Sequence, residues 1–293
     1  MSEPLDYIER IRDYYKTLGF GTPYQWFRFD EVPFHRPEKP LGQSTVAIIT
    51  TAALFGPDKG DQGPGAPYNG AAKFFEVYSR PTDVEPDLRI SHIAIDRAHT
   101  TAEDQGSYFP LGALKKLAQA GEIGAVARRF HGLPTNRSQR VTREIDCPEV
   151  VRRCIEDEVD VALLVPNCPV CHQSVAMASN ALEAAGIATV ISGCARDIVE
   201  TVGAPRLLFN DFPLGNGAGL PNNPDNQLQI ARLALQMIDT AQTPRTIQQS
   251  PYSWSGDPGW KRDYSNAALL SDEEIARKRR EFDQAKKDAP KKP

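Results

Sequence analysis

The sequence predicts an α/β protein built on a parallel sheet. Two continuous apolar runs, residues 45–51 and Val161–Val165, are typical of strands buried on both faces. Amphipathic helical patterns alternate with such runs, and this alternation favours parallel strands joined by right-handed crossovers. The prediction is a Rossmann-like α/β sandwich, and the pattern leaves open a division into two pseudo-equivalent halves.

The first elements follow from apolar spacing and from breaker residues. Apolar residues recur at helical spacing over 5–18, and Gly19 closes that helix. A loop rich in Gly and Pro, residues 56–70, follows the first strand, and a loop of that length in a compact domain is usually functional or mobile. The next predicted elements are a strand at 89–95, a helix at 109–121 and a short strand at 123–127.

The second part of the chain repeats the alternation. A helix at 148–158 precedes the apolar run Val161–Val165, and a further helix runs from about 174 to Gly186. The remaining elements are a strand at 188–191, a helix at 196–202, a strand at 206–209, a helix at 225–240 and a helix opened by the capping box Ser271 and Glu274. The expected segments are 1–44 (a helix and an aromatic arm), 45–245 (the α/β core, with possible halves 45–145 and 146–245) and 246–293 (a C-terminal arm and helix).

Composition narrows the class of protein. The chain of 293 residues carries a formal net charge of −4, which argues against a nucleic-acid-binding surface. We find no signal-peptide pattern and no apolar run as long as a membrane span. Five cysteines are too few and too odd in number for a disulfide scaffold, so we expect a reducing, cytoplasmic location.

The pair Cys168 and Cys171 lies where a buried strand ends and a helix begins. Open α/β sheets bind ligands at this edge, and unpaired helix N–H groups stabilise a thiolate there. We interpret the pair as redox-active or nucleophilic, with Cys168 attacking, Cys171 resolving and His172 close enough to exchange a proton. Two alternatives stay open: buried small residues, or half of a zinc site.

Other polar residues end neighbouring strands. Cys194 follows the next strand and is expected at the same edge as Cys168. His92, Asp96 and His99 have a spacing that suits either a metal triad or an acid–base group. The candidates for binding a small substrate are Thr50, Thr51, His131, Arg137 and Cys194. No glycine-rich nucleotide motif is present, so no cofactor is evident.

Three blocks of sequence, in this order, carry a family resemblance: TVAIITTAAL, SHIAIDRAHTTAEDQGSYFPLGALKKLAQAGEIG and VDVALLVPNCPVCHQSVA. The chain resembles the selenoprotein B subunit of glycine/sarcosine/betaine reductase and the related D-proline reductase subunit. The resemblance puts Cys168 at the position of a selenocysteine that attacks the α-carbon of an amino acid, and Cys171 at the cysteine that follows it. It also implies a partner subunit that bears a pyruvoyl group, because no pyruvoyl-generating segment is visible in this chain.

These observations lead to one expectation and two alternatives. The expected function is reductive cleavage of a small, amino-acid-like substrate by the cysteine pair, with His172 or His99 as proton donor and an external dithiol as reductant. One alternative is a racemase-like enzyme with opposed thiols, Cys168 and Cys194. The other is a metal-binding protein that uses the cysteine pair with His92 or His99; whether a metal is needed stays open.

Aromatic residues in irregular segments predict association. The N-terminal arm and the C-terminal segment carry more aromatic surface than loops of this kind usually bury alone. We therefore expect a homo-oligomer, with a second subunit as a further option. The residues concerned are Tyr24, Trp26, Phe27, Phe29, Tyr252, Trp254 and Trp260.

Overall fold

The computed structural model describes residues 3–90, 92–135, 138–254 and 258–288. Its strands are β1 (Thr45–Thr50), β2 (Ala53–Leu54), β3 (Tyr78–Pro81), β4 (Leu88–Arg89), β5 (Ala125–Val126), β6 (Arg129–Gly132), β7 (Val161–Val165), β8 (Ala188–Gly193), β9 (Arg206–Phe209) and β10 (Thr246–Gln249). Its helices are α1 (Tyr7–Thr17), α2 (Leu111–Gln119), α3 (Gln139–Val141), α4 (Cys147–Glu156), α5 (Pro169–Ala184), α6 (Arg196–Val202), α7 (Pro224–Thr240), α8 (Trp260–Asp263) and α9 (Asp272–Asp288). A π-helical turn, Thr142–Asp146, joins α3 to α4.

The central sheet has the strand order β10-β9-β8-β7-β1-β6-β3, and β5 also pairs with β1. All of these pairs are parallel except that of β3 with β6. The chain passes from β1 to β6 on one side and then returns to place β7 on the other side of β1. The strand order therefore reverses between β1 and β7, and a crevice at the carboxyl ends of these two strands is where such sheets bind ligands.

Two layers of helices cover the sheet, as an α/β sandwich requires. Alternate side chains of β1 point to opposite faces, so Ala47 and Ile49 belong to one apolar core, and Val46 and Ile48 to the other. Helices α1, α4, α5 and α6 pack on the first core, and α2 and α7 pack on the second. The predicted fold class, a mainly parallel α/β sandwich, is confirmed.

Some element predictions were wrong in detail. The strand expected at 89–95 is only β4, since the described residues from His92 onward form turns. The sequence reasoning missed β6, which pairs with β1, and β10, which pairs with β9. Both expected halves contribute to one continuous sheet, because β1 pairs with β7. Strand β10 begins one residue after the expected end of the core, so the C-terminal segment supplies an edge strand.

The aromatic residues of the two irregular segments pack against this chain's own core. Trp26, Phe27 and Phe29 contact the core that includes α5 and α6, and the Phe29 N–H donates to the Val202 carbonyl at 2.9 Å. Trp254 packs against Phe212, with ring centroids 6.0 Å apart. The partial burial of these rings within the chain weakens their argument for a homo-oligomer, which stays a prediction.

A fully buried ion pair fixes the N-terminal arm. The Arg206 guanidinium lies 2.7 Å from the Glu183 carboxylate, and both side chains are completely inaccessible. Arg206 also donates to the His35 carbonyl at 2.7 Å, and the His35 N–H donates to Glu183. The arm is therefore tied to β9 and α5 through paired charges. None of the described helices is long and apolar enough to cross a membrane.

Candidate active site

The turn between β7 and α5 places Cys168 at the start of a helix. Cys168 is the N-cap residue, with extended backbone angles, and its Sγ accepts the N–H of Cys171 at 3.3 Å. Pro169 occupies the first turn, where its missing N–H costs nothing. Thr51 holds the turn, because its Oγ1 accepts both the N–H and the side-chain amide of Asn167 at 3.1 Å. The cysteine pair thus lies in the crevice between β1 and β7.

The two thiols meet a histidine and a threonine there. The Sγ of Cys171 lies 3.1 Å from the Oγ1 of Thr135, which in turn lies 3.5 Å from the Nε2 of His92. The possible ligand atoms of His92, Cys168 and Cys171 lie within 4.8 Å of one another. Cys168 is 5% exposed and Cys171 is fully buried. This cluster of one imidazole, two thiols and one hydroxyl is called the thiol cluster below.

The pKa values of the two thiols are shifted in opposite directions. Burial opposes ionisation of Cys171. This effect is outweighed by the hydrogen bond from Cys168, the charge of His92, and the hydrogen bonds from His92 and Thr135. The pKa of Cys171 therefore lies well below its usual value. Burial and the neighbouring Cys171 raise the pKa of Cys168. Negative charge is therefore more stable on the sulfur of Cys171 than on that of Cys168.

His172 makes structural contacts, which argue against its expected role as a proton donor. Its Nδ1–H donates to the Cys168 carbonyl at 2.8 Å, while its Nε2 accepts the N–H groups of Cys194 and Ala195 at 2.9 and 3.1 Å. Both ring nitrogens are thus occupied by backbone groups. Burial lowers the pKa of His172 to about 4, so the ring stays neutral. His172 ties the cysteine turn to the end of β8.

The spacing of His92, Asp96 and His99 does not produce a metal triad. Asp96 is buried and accepts from the Nδ1 of His99 at 2.9 Å, and the Nε2 of His99 lies 3.5 Å from Asp263. Burial raises the pKa of Asp96 in spite of the His99 hydrogen bond, which opposes the rise. His92 belongs to the thiol cluster instead. The three residues divide because turns, not the expected strand, carry them.

Three of the expected substrate-binding residues make contacts within the scaffold. Thr50 is fully buried and its hydroxyl accepts the Ala52 N–H at 3.1 Å, while Thr51 holds Asn167. His131 is fully buried in β6, where Nδ1 lies 2.8 Å from the Ser79 hydroxyl and Nε2 lies 3.4 Å from Asp157. Desolvation lowers the pKa of His131 to about 4. These contacts are within the scaffold and argue against the expected substrate-binding role of the three residues, although the Nε2 of His131 makes no hydrogen bond.

The Cys194 side chain belongs to a different apolar core from the cysteine pair. Its side chain belongs to the apolar core on the α5 and α6 face, whereas Cys168 and Cys171 belong to the opposite core. Burial raises the pKa of Cys194 to about 12, so its thiol stays protonated. Two opposed thiols, as the racemase-like alternative requires, are not found at these positions. Arg137, the remaining candidate, lies outside the described residues.

The sequence reasoning missed Thr135 and Tyr264. Thr135 follows β6, and recognising β6 as a parallel strand would have placed this threonine at the ligand-binding edge. Tyr264 is buried and donates to the Ala94 carbonyl at 3.0 Å. Burial, together with the charges of Cys168 and Asp96, raises its pKa well above the usual value. No local signal predicts the position of Tyr264, because the contact joins distant parts of the chain.

The fold and the thiol cluster define an α/β protein with a paired-thiol site at the sheet crevice. Comparison with known proteins identifies its family. The gamma subunit of D-proline reductase from Acetoanaerobium sticklandii is 30% identical over 218 residues, which cover 74% of this chain and 87% of that subunit. The chain belongs to the family of this subunit and of the component B subunits of glycine and sarcosine reductases.

More distant relatives are longer proteins. The component B gamma subunit of glycine reductase from Symbiobacterium thermophilum is 24% identical over 242 residues, covering 81% of this chain and 55% of that subunit. The component B beta subunit of sarcosine reductase from Peptoclostridium acidaminophilum is 24% identical over 236 residues, which cover 78% of this chain and 53% of that subunit. The chain thus spans about half the length of these relatives. No family model and no solved structure matches it.

Proposed function

We propose that this chain carries the thiol chemistry of an amino-acid reductase, cleaving a small, amino-acid-like substrate through Cys168 and Cys171. The observation that carries the proposal is the pairing of two thiols at a helix start in the crevice between β1 and β7, where the Cys171 N–H donates to the Cys168 sulfur at 3.3 Å. Membership of a family of reductase subunits supports the same reaction class. The substrate class comes from those relatives.

The reaction uses both sulfur atoms. Cys168 attacks the substrate carbon as its proton passes to Cys171, a carbon–sulfur bond forms, and the leaving group departs with a proton from a nearby acid. Cys171 then attacks the sulfur of Cys168, and the carbon–sulfur bond breaks. The carbanion, stabilised by an adjacent carbonyl, takes the proton from Cys171. The substrate gains two electrons, the pair becomes a disulfide, and an external dithiol restores it.

His92 and Cys168 are suited to different parts of this sequence. Cys168 attacks because it is the more exposed of the two thiols and lies at the helix N-terminus, which stabilises negative charge as the proton leaves. His92 is the imidazole beside the thiols, and it supplies the proton to the leaving group. His99, held by Asp96, is the second imidazole in the same part of the chain and stays an alternative donor.

A partner subunit completes the proposal. The relatives are subunits of reductase complexes. The family resemblance puts an amine-activating pyruvoyl group on such a partner, so the residues of this chain need to supply only the thiols and the proton. The racemase-like alternative has no support from the position of Cys194, described above.

The test is disulfide mapping joined to turnover. We expect mild oxidation of the native protein to link Cys168 to Cys171, reversibly by dithiol, with the other cysteines left as thiols. D-proline, glycine and sarcosine are then assayed with dithiol, with and without candidate partner subunits. Cys168→Ser and Cys171→Ser should abolish dithiol-dependent cleavage, whereas Cys147→Ser, a buried cysteine on α4, should retain it. A Cys168→Ser variant with unchanged turnover would refute the proposal.

A further inference from the structure

We propose that Cys168, Cys171 and His92, when the cysteines are reduced, form a three-ligand site for a zinc-type divalent cation. Occupation of this site withholds both thiols from reaction. The inference goes beyond the proposed function, because metal binding requires the three side chains and not their reactivity. Among the residues that the structure describes, these three alone group as possible ligands from His, Cys, Asp and Glu side chains.

The spacing of the ligand atoms suits a tetrahedral ion after a small contraction. With Zn–S bonds of about 2.3 Å and Zn–N bonds of about 2.0–2.1 Å, the ligand atoms of a tetrahedral site lie about 3.5–3.8 Å apart. The ligand atoms here lie within 4.8 Å of one another. Closing that difference takes about 1 Å of movement, within reach of a side-chain rotation. Two thiolates and an imidazole are a ligand set that zinc prefers.

One feature of His92 points to a missing partner. Its Nδ1 is buried and makes no hydrogen bond, whereas a buried imidazole nitrogen normally has a partner. A metal ion held by one ring nitrogen would still leave the other to the hydroxyl of Thr135, which lies 3.5 Å from Nε2. Such an outer contact orients a histidine ligand. The unpaired nitrogen and the neighbouring hydroxyl therefore fit an imidazole that binds a metal.

The cysteines are fixed and His92 is adjustable. The amide of Cys171 fixes the Cys168 sulfur, and His172 fixes the Cys168 carbonyl. His92 instead follows β4 in a segment of turns. The imidazole is thus the ligand that moves to close the site. Three protein ligands leave a fourth position open, as in zinc sites that exchange water or substrate.

Metal binding and disulfide formation exclude one another. A divalent cation binds both sulfurs as thiolates, so its binding releases whatever protons the reduced pair holds. Oxidation to the disulfide removes both thiolates, and no ion can then bind. The cation is therefore a reversible block on the thiol pair, set by the availability of metal and by the redox state of the pair.

The test uses cadmium as a spectroscopic probe for zinc. We expect cadmium titration of the reduced protein to produce a thiolate-to-metal charge-transfer band that saturates at one ion per chain and is displaced by zinc. The cadmium NMR shift of the wild-type complex should indicate two sulfur ligands and one nitrogen ligand, which needs no variant. The oxidised protein is the control and should give no band.

Variants then identify the ligands. Cys168→Ser and Cys171→Ser should lose the band, and His92→Ala should weaken cadmium binding by about tenfold or more. His99→Ala is the matched control and should bind normally, because Asp96 and Asp263 hold His99 outside the cluster. Circular dichroism confirms that each variant is folded.

Absence of the band in reduced wild-type protein, or full affinity in His92→Ala, would overturn the inference. The proposed function fails separately: a protein that binds cadmium but never forms the Cys168–Cys171 disulfide would retain the metal site and lose the reductase chemistry. Conversely, a working disulfide without cadmium binding would leave the proposed function intact.

Discussion

Replacement of His172 by Gln tests how a neutral, buried imidazole supports the cysteine turn. Gln retains an acceptor for the Cys194 and Ala195 N–H groups but no longer donates from the position of Nδ1 to the Cys168 carbonyl. The Cys168 carbonyl still accepts the backbone N–H of residue 172 at 3.1 Å, so the variant loses one of its two hydrogen bonds, worth about 1 kcal/mol. We therefore expect the variant to lose about 1 kcal/mol of unfolding free energy at neutral pH.

The pKa of His172 determines how the stability difference between wild type and variant changes with pH. The pKa of His172 is about 4 in the folded protein, below the ~6.5 of an unfolded histidine. The unfolded state therefore binds more protons between these values, and stability is present above pH ~6.5 and lost as the pH falls toward 4. Lowering the pH from about 7.5 to about 4.5 removes about 2.5 kcal/mol from the wild type, a loss the variant lacks. The two stability curves should meet near pH ~6.

Urea unfolding across this pH range measures the difference between the two proteins, so the titration of groups they share cancels. His35→Gln is the matched control, because His35 bonds to Glu183 and Arg206 through its backbone. The stability difference between wild type and His35→Gln should not show the pH dependence expected for His172→Gln. A constant difference between wild type and His172→Gln at all pH values would refute the assignment of His172 as neutral and buried.

Two further predictions concern the thiol and the buried ion pair. Thr135→Val removes the hydroxyl that lies 3.1 Å from the Cys171 sulfur and should raise the pKa of Cys171, because that hydrogen bond favours the thiolate. Thiolate absorbance against pH measures the change, and an unchanged titration would contradict the charge assignment. Arg206→Met leaves the buried charge of Glu183 without its partner, so we expect a loss of about 3–5 kcal/mol in urea unfolding. Adding Glu183→Gln should recover most of that loss. A single variant as stable as wild type would contradict this prediction.

Local sequence patterns predicted most of the strands and helices of the scaffold. The apolar run Val161–Val165 predicted β7, and the Cys168 turn followed it as expected, because a fully buried parallel strand must be apolar along its whole length. The sequence reasoning missed β6, which carries a charged residue and a histidine that are paired only by distant partners. Predictions failed where polar side chains lie in the interior.

The sequence by itself determined the α/β class, the position of Cys168 and Cys171 at a helix start, and the family, since these depend on neighbouring residues and on the order of motifs. Only the tertiary structure decided which polar groups meet the thiols. His92 and Thr135 join the pair, whereas His172, His131 and Cys194 do not. The reason is that strand order brings remote loops to one edge of the sheet, and burial then fixes the partner and the charge of each group.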